Sequence, residues 1–531
     1  MANGPQSTWF ESSRTFFQRS SFTAFSLCLA ISAAVHLSHL QSRELWLDES
    51  RSAFFVRLPL GDFMRYSLGD TAPPLYHSLL WLWVRVVGQG DGAMRLLSVV
   101  LDMLAAAGMY VAAKSWLGGR SAGAFAGILF LFSPILYIYS FEVRQYMLVV
   151  CCVVAMLILQ HRVAVRFEYT SGNLLLYALC AVLLFYSHYI GLFMMAGFFA
   201  DWLIASRLSP KGLWPLCLGG FLVLILISPW IPVMLRQRQG TLAIFKAQSV
   251  ALSDPTSVSY GAPAAIPVTL HSRIDLAVRS IAVIPGFYPA GSTLVLAALA
   301  IPMIIVLAGI PFLMFRGDRT CLMFGCGLVF MAIGIYVIGI IAARYLVPFV
   351  PLAVLAMVRA LQYWTETGRW RSAASVVGCL VLAIYIAGFV RQASIRDANP
   401  WRRLASTLRS VYRDGDIVLF DILYSQVPFD DAARQVGFAP REDGFPETIY
   451  QWWEKQPVKI WDSPVLRKGD VEATVNRVAS TAKTKVVWLV LNETYYFDPF
   501  DRLLARCREA GQVQEVYHDS TVRLFRVSFK P

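Results

Sequence analysis

The sequence predicts an all-α protein that crosses a membrane many times and ends in a small α/β domain. Hydrophobic residues make up 57% of its 531 residues, charged residues only 15%, and the mean hydropathy is +0.55. These values lie outside the usual range of soluble globular proteins. Long apolar runs recur up to about residue 390, and charges become more frequent after about Ser394. The chain is therefore expected to have a membrane part and a polar C-terminal part.

Eleven apolar runs predict about 11 transmembrane helices. They lie near residues 21–41, 93–116, 121–139, 147–161, 173–188, 190–206, 212–232, 291–315, 320–341, 345–363 and 372–391. If these runs alternate across the membrane, every basic pair between them falls on one side, which the positive-inside rule identifies as the cytosol. The net charge of +13 is explained by these basic loops and by contacts with membrane lipids, so no nucleic-acid partner is expected.

A further apolar segment, residues 73–87, is predicted to lie on the outer membrane surface as an amphipathic helix. Its 15 residues would reach only about 22 Å as a helix, whereas the hydrocarbon core is ~30 Å thick. A crossing at this point would also move the later basic pairs to opposite sides of the membrane. Trp81 and Trp83 suit the headgroup level of such a surface helix.

Three regions follow from this topology. They are a cytosolic N-terminal segment at 1–20, a membrane domain at 21–392, and a C-terminal domain outside the membrane at 393–531, with outer loops at 42–92 and 233–290 inside the membrane domain. The 233–290 loop is rich in Pro, Ser and Gly, and loops of this length are typical of functional lids or disordered segments. In the tail, short β-rich runs at 416–420, 485–491 and 521–528 alternate with helical runs at 401–412, 471–482 and 500–510, which predicts a small α/β domain.

The candidate functional residues gather on the predicted outer face. The first outer loop contains Asp48 and Glu49 near its start, and the surface helix contains Tyr76 and His77 in its first turns. The outer ends of later spans carry Glu142, Arg144, Tyr146, His188, Arg344 and Tyr345. Each arginine could reach lipid phosphates and each tyrosine could be an interfacial aromatic, and a histidine such as His188 is more often structural. None of these explanations accounts for the carboxylates at the same face, so the set predicts a reaction site at the membrane surface.

Four motifs resemble the polytopic GT-C glycosyltransferases. They are Trp46-Leu-Asp-Glu49, Ala72-Pro-Pro-Leu-Tyr76, Ser133-Pro134 followed by Glu142-x-Arg-x-Tyr146, and Arg344-Tyr345-x-x-Pro348. The nearest branch is the protein-mannosyltransferase-like group, which includes lipopolysaccharide galacturonosyltransferase relatives and aminoarabinose transferases, and the resemblance covers about residues 20–390. Ala72 stands where many relatives have His. In this chain the donor contact made by that His is therefore missing unless His77 makes it instead.

The resemblance implies a GT-C membrane fold in the plasma (inner) membrane. It also implies inverting transfer of a hexosyl or pentosyl group from a polyprenyl-phosphate sugar donor, at the outer face. The acceptor is expected to be a lipid, a cell-envelope glycan or a protein. Some relatives use a divalent metal, and Asp48 and Glu142 are candidate ligands, because a metal held by one or two carboxylates leaves little trace in a sequence.

The chemistry of such a transfer assigns the roles. An acceptor hydroxyl must lose its proton as it attacks, and Asp48 is the predicted general base, with Glu49 as the alternate or as an acceptor-positioning group. Arg344, beside Tyr345, is the first candidate to bind the leaving phosphate, and Arg144 is the second. The predicted substrate-binding residues are Tyr76, His77, Glu142, Tyr146 and His188.

Two other classes of protein are weighed against this prediction. A transporter or flippase of lipid-linked sugars would tend to place ionisable residues near the bilayer midplane, often in paired repeats. The notable charges here lie at one face, and the sequence shows no internal repeat. A protein that only binds cell-wall glycan through its tail would leave the grouping of Asp48 and Arg344 unexplained.

Overall fold

A computed structural model describes residues 6–68, 72–207, 209–238, 293–338, 343–395, 400–421, 423–445, 447–451, 468–492, 498, 501–519 and 522–529. Most of the predicted 233–290 loop lies outside these residues. The chain forms two compact units. The membrane unit comprises Met1–Leu40, Ala72–Pro229 and His271–Ile395, and the sheet unit comprises Gln41–Thr71, Trp230–Leu270 and Arg396–Pro531.

Helices form most of the described structure. In chain order they are α1 Gln6–His39, α2 Leu47–Arg57, α3 Leu60–Leu68, α4 Leu75–Val87, α5 Asp91–Leu117, α6 Arg120–Leu131, α7 Pro134–Ser140, α8 Tyr146–Gln160, α9 Ser171–Ser187, α10 Ile190–Ala205, α11 Pro210–Ile227, α12 Thr293–Phe315, α13 Arg319–Ile338, α14 Ala343–Leu346, α15 Val350–Glu366, α16 Arg371–Ser394, α17 Pro400–Val411, α18 Gln426–Gln435, α19 Lys468–Thr481 and α20 Arg502–Ala510. Of these, α2, α3 and α17 to α20 belong to the sheet unit.

Seven helical segments of the described chain are long and apolar enough to cross a membrane, which identifies a multi-pass integral membrane protein. They are Ser20–His39, Asp91–Leu117, Tyr146–Val165, Pro210–Arg238, Arg319–Val337, Arg344–Glu366 and Arg371–Ser394. Helices α6 and α7 are bent by 59° at a short break and make an eighth span if they are one broken helix. Pro134 begins α7, which is where a helix break is expected because proline lacks a backbone donor.

The predicted number of eleven spans is not confirmed. The predicted spans 173–188 and 190–206 are the apolar helices Ser171–Ser187 and Ile190–Ser206, and the predicted span 291–315 contributes the apolar stretch Pro302–Phe315. A helix of 17 residues reaches only about 26 Å, which is less than the ~30 Å of the hydrocarbon core. Helix α4 coincides with the segment predicted to lie on the membrane surface, and that location stays a prediction.

The sheet unit contains a five-stranded mixed sheet, which confirms the predicted small α/β fold. Its strands are β1 Ile417–Asp421, β2 Glu442–Phe445, β3 Val486–Asn492, β4 Gly511–His518 and β5 Val522–Phe529. Their order is β2-β1-β3-β5-β4, with β2, β1 and β3 parallel and with β5 antiparallel to both β3 and β4. Every residue of β1 is buried, as expected for a central parallel strand covered on both faces.

Candidate functional site

Helix α2 of the sheet unit carries both candidate carboxylates in its first turn. The fully buried Glu49 accepts a hydrogen bond at 3.2 Å from the backbone N–H of Trp46, the residue before the helix. This is the return bond of a capping box, and it gives Glu49 a structural role at the helix start. Asp48 is half-buried, so it is the more accessible carboxylate of the two. The structure thus distinguishes two residues that are equivalent in the sequence.

Two polar contacts attach α2 to the rest of the sheet unit. Before the helix, the Glu44 carboxylate accepts hydrogen bonds from the backbone N–H groups of Trp401 at 3.0 Å and Arg402 at 2.9 Å. These N–H groups belong to the first turn of α17, which has no intrahelical acceptors for them. At the other end of α2, Arg57 forms an ion pair with the buried Asp431 of α18. The segment that carries Asp48 is therefore held at both ends.

In the membrane unit, Glu142 and Arg144 lie in the short connection between α7 and α8. Both side chains are only 7% exposed. Two buried residues of α5 hold the backbone of this connection, because Arg95 Nε donates to the carbonyl of Phe141 at 3.0 Å and Ser98 Oγ donates to the carbonyl of Glu142 at 2.7 Å. The sequence analysis overlooked Arg95 and Ser98. An arginine inside the apolar run 93–116 was the available signal, since a buried charge requires partners.

Three aromatic rings from separate elements meet beside this connection. The ring centroid of His188 lies 6.4 Å from that of Tyr146 in α8 and 5.7 Å from that of Tyr345 in α14. His188 lies between α9 and α10, outside the membrane-spanning helices. Its Nδ1 accepts the backbone N–H of Ile190 at 3.0 Å, so the proton of the neutral ring lies on Nε2. The Nε2–H group is therefore the donor that His188 offers to a ligand.

The charges of Arg144 and Arg344 act on the same histidine. Burial of the ring, and then these two positive charges, lower the pKa of His188 to about 3. His188 is therefore neutral at neutral pH, and the positive charge belongs to the two guanidinium groups. We call Arg144, Tyr146, His188, Arg344 and Tyr345 the arginine cluster. The sequence analysis selected all five of these residues as candidates, and the structure brings them together.

Tyr76 and His77, in α4, are buried within the membrane unit. The Tyr76 hydroxyl lies 3.5 Å from Ser98 Oγ, the group that holds the carbonyl of Glu142. The observed contact of Tyr76 is thus a supporting one, and substrate binding by Tyr76 and His77 stays a prediction. Among the described residues, no three His, Cys, Asp or Glu side chains are placed to hold a metal ion together.

The chain has the fold of the GT-C glycosyltransferases, as its motifs predicted. ArnT from Cupriavidus metallidurans in the apo state matches with a TM-score of 0.55 and 14% identity, over 94% of this chain and 97% of ArnT. The same ArnT bound to undecaprenyl phosphate matches with a TM-score of 0.54 and 16% identity, over 94% and 97% of the two chains. The apo oligosaccharyltransferase of Archaeoglobus fulgidus matches with a TM-score of 0.54 and 11% identity, over 95% of this chain and 74% of that one.

At the level of sequence, residues 71–232 match the family model described as dolichyl-phosphate-mannose-protein mannosyltransferase. The match covers less than a third of the chain. It includes the α7–α8 connection and His188 but neither Asp48 nor Arg344. No curated protein is significantly similar in sequence to the whole chain.

Proposed function

We propose that this protein is a membrane glycosyltransferase that moves a hexosyl or pentosyl group from a polyprenyl-phosphate donor to a hydroxyl group of a lipid, glycan or protein acceptor. The arginine cluster is the observation that carries the proposal. It gathers two guanidinium groups around a neutral histidine, in a fold shared with an ArnT structure that contains undecaprenyl phosphate. Guanidinium groups bind phosphate oxygens through paired hydrogen bonds, so the cluster suits a phosphate leaving group.

Within the cluster, Arg344 is the proposed phosphate clamp. Its side chain is partly exposed, whereas Arg144 is only 7% exposed, so Arg344 is the more accessible of the two to a lipid-borne donor. Arg144 adds a second positive charge from the neighbouring α7–α8 connection. The Nε2–H of His188 can donate a hydrogen bond to an oxygen of the donor. Tyr146 and Tyr345 border the cluster with their rings, and Glu142 is proposed to bind sugar hydroxyls or to orient Arg144.

Asp48 is the proposed general base. It takes the proton of the acceptor hydroxyl while the hydroxyl oxygen forms a bond to the anomeric carbon of the donor sugar. The bond between that carbon and the phosphate oxygen breaks, and its electron pair leaves with the phosphate. A single displacement of this kind inverts the anomeric configuration. The capping bond of Glu49 to Trp46 supports Asp48 for this role, because Glu49 already stabilises the start of α2.

The reaction is proposed to occur at the outer face of the plasma membrane. This part of the proposal rests on the predicted alternation of spans: if the basic loops are cytosolic, the N-terminus lies in the cytosol, and Asp48, Glu142, Arg344 and the C-terminal domain lie outside. A donor anchored by a polyprenyl chain would meet the site from the membrane, and a cell-envelope acceptor would meet it from the aqueous side.

A transporter or flippase of lipid-linked sugars is the second candidate function. Buried ionisable residues inside the membrane unit favour it, since such residues often mark transport pathways. His36 Nε2 lies 3.5 Å from an Asp102 oxygen, and Arg319 pairs with the fully buried Asp201 at 2.8 Å. Arg319 and Asp201 are an oppositely charged pair, and the His36 ring has the Asp102 carboxyl group as a close neighbour, so both pairs have the arrangement expected of groups that hold helices together.

Product analysis separates the two functions. The purified protein is incubated with a panel of undecaprenyl-phosphate sugars and a membrane extract that supplies acceptors, and released undecaprenyl phosphate is quantified. A glycosyltransferase releases undecaprenyl phosphate from at least one donor and labels an acceptor with the sugar. A flippase in liposomes instead moves the intact donor across the bilayer. Movement of intact donor with no release from any donor would overturn the proposal.

A further inference from the structure

A cavity of about 450 Å³ opens within the sheet unit, between α2, α18 and the start of β2. This volume lies within the range of ~300–1,000 Å³ typical of small-ligand pockets. The residues that line it come from positions as far apart as Phe54 and Tyr450, so the cavity exists only in the folded unit. No role in the transfer reaction proposed above has been assigned to these residues.

Acidic and phenolic groups converge on one side of this cavity. Asp430 accepts hydrogen bonds from the Tyr450 hydroxyl and from the Glu442 side chain. Gln426 supports the group by donating to Glu442 Oε2 at 3.2 Å. A carboxyl group has acceptor capacity beyond these contacts, so Asp430 can also accept a hydrogen bond from a ligand hydroxyl.

The two acids lie side by side, and burial raises the pKa of both carboxyl groups. For Glu442 the pKa is raised well above its usual range, by burial and by the nearby charge of Asp430. Glu442 is therefore the donor in its hydrogen bond to Asp430. The side chains of Arg57 and Arg434 also line the cavity, and both form ion pairs with Asp431. The cavity thus presents guanidinium donors as well as carboxyl acceptors, and a hydroxyl-rich ligand can use both kinds of group.

Aromatic rings form the complementary wall. The ring centroid of Phe54 in α2 lies 5.6 Å from that of Tyr450, and Phe438 lines the same cavity. The C–H face of a pyranose ring packs against such rings while its equatorial hydroxyls reach the polar side. A cavity with a pair of carboxyl groups, a phenol and an aromatic wall combines the apolar lining and the few precisely placed polar groups that fix a small ligand. From these groups we infer that the cavity binds a sugar residue of a glycan acceptor, and we call it the acceptor cavity.

Helix α2 connects the acceptor cavity to the proposed base. Phe54 lies six residues after Asp48 on the same helix, a separation of about 9 Å along the helix axis. The two side chains are also about 120° apart around the helix, so an oligosaccharide held at Phe54 would reach Asp48 by extending part of the way around α2. This part of the inference rests on the proposed function of Asp48, and it selects a glycan from the lipid, glycan and protein acceptors.

Glycan binding by the full-length protein tests the acceptor cavity. The protein in detergent is applied to immobilised oligosaccharides that contain mannose, glucose, galactose or N-acetylglucosamine. We expect wild type to retain at least one of them. Asp430→Asn and Phe54→Ala are expected to weaken that binding about tenfold or more, through loss of a carboxyl acceptor and of the aromatic wall.

A conservative variant outside the cavity serves as the control. Glu515→Gln, which removes a carboxylate from the exposed strand β4, is expected to bind like wild type. Failure of wild type to bind any oligosaccharide, or equal binding by wild type, Asp430→Asn and Phe54→Ala, would overturn the inference.

The assay with immobilised oligosaccharides contains no polyprenyl-phosphate sugar donor, so its result is independent of the transfer reaction. Cavity-dependent glycan binding without donor turnover would refute the proposed transferase and leave the binding site established. Donor turnover without cavity-dependent glycan binding would refute the acceptor cavity alone.

Discussion

Replacement of Glu44 by alanine should loosen the attachment of α2 to α17. The Glu44 side chain is only 8% exposed, and it accepts two backbone N–H groups from the first turn of α17 at 2.9 and 3.0 Å. A hydrogen bond to a charged group contributes about 1.5–3 kcal/mol, and loss of a helix cap costs about 0.5–2 kcal/mol. Because both bonds share one carboxylate, their contributions are not additive. We expect a loss of about 2 kcal/mol, which is a roughly 30-fold increase in local opening.

Hydrogen exchange of the full-length protein measures this opening directly. Peptides that cover Pro400–Val411 should exchange about 30-fold faster in Glu44→Ala than in wild type. Donor turnover should fall as well, since Glu44 precedes Asp48 by only four residues and helps to place α2.

Glu472→Ala is the matched control for this experiment. The Glu472 side chain is 64% exposed and pairs with Arg506 on the surface at 3.3 Å, so its loss should cost less than about 1 kcal/mol and leave α17 unchanged. Wild-type exchange of α17 in Glu44→Ala would show that the carboxylate does not hold this helix.

Three further predictions concern topology, the leaving group and pH. In a cysteine-free background, Ser42→Cys should react with an impermeant maleimide on intact cells and Gly119→Cys should not; the reverse pattern would invalidate the orientation. Arg344→Lys keeps the positive charge but loses the planar guanidinium group that binds a phosphate through two hydrogen bonds, so donor turnover should fall substantially, and it should fall further in Arg344→Ala. An arginine that only reaches lipid headgroups would instead tolerate replacement by lysine. Burial raises the pKa of Asp421 well above its usual range. The folded state therefore holds this proton more tightly than the unfolded state does. The stability that results is fully present below about pH 4, and it is lost as the pH rises through the raised pKa. Asp421→Asn should therefore protect β1 from exchange more than wild type at alkaline pH but not at acidic pH, and a pH-independent difference would contradict this assignment.

The long elements of the fold could be predicted from the sequence because each carries its own signal. Long apolar runs predicted the membrane helices, and β-rich runs predicted β1, β3 and β5. The strands β2 and β4 were missed for physical reasons. β2 has only four residues, Glu-Asp-Gly-Phe, and its pairing with β1 supplies the stability that its composition lacks. β4 is an edge strand with mostly exposed side chains, so its sequence shows little apolar alternation.

The candidate site was predictable where its residues form local motifs. Charged and aromatic residues are easily recognised at the ends of apolar runs. Arg144, Tyr146 and the motif Arg344-Tyr345 all lie at such ends. Glu44 gave no comparable signal, because its partners are backbone groups of a segment distant in sequence. The acceptor cavity was hidden for the same reason, since its walls are contributed by segments far apart in the chain.

Turnover by the Asp48→Asn variant tests the proposed reaction most directly. Undecaprenyl phosphate release is measured for wild type, for Asp48→Asn and for Asp62→Asn, which removes an exposed carboxylate from the same loop as a control. Loss of a general base typically slows a reaction by ~10²–10⁴, so Asp48→Asn should lose at least a hundredfold in rate while it still binds the donor. Asp62→Asn should turn over like wild type. Release by a folded Asp48→Asn at the wild-type rate would contradict the assignment of Asp48 as the general base.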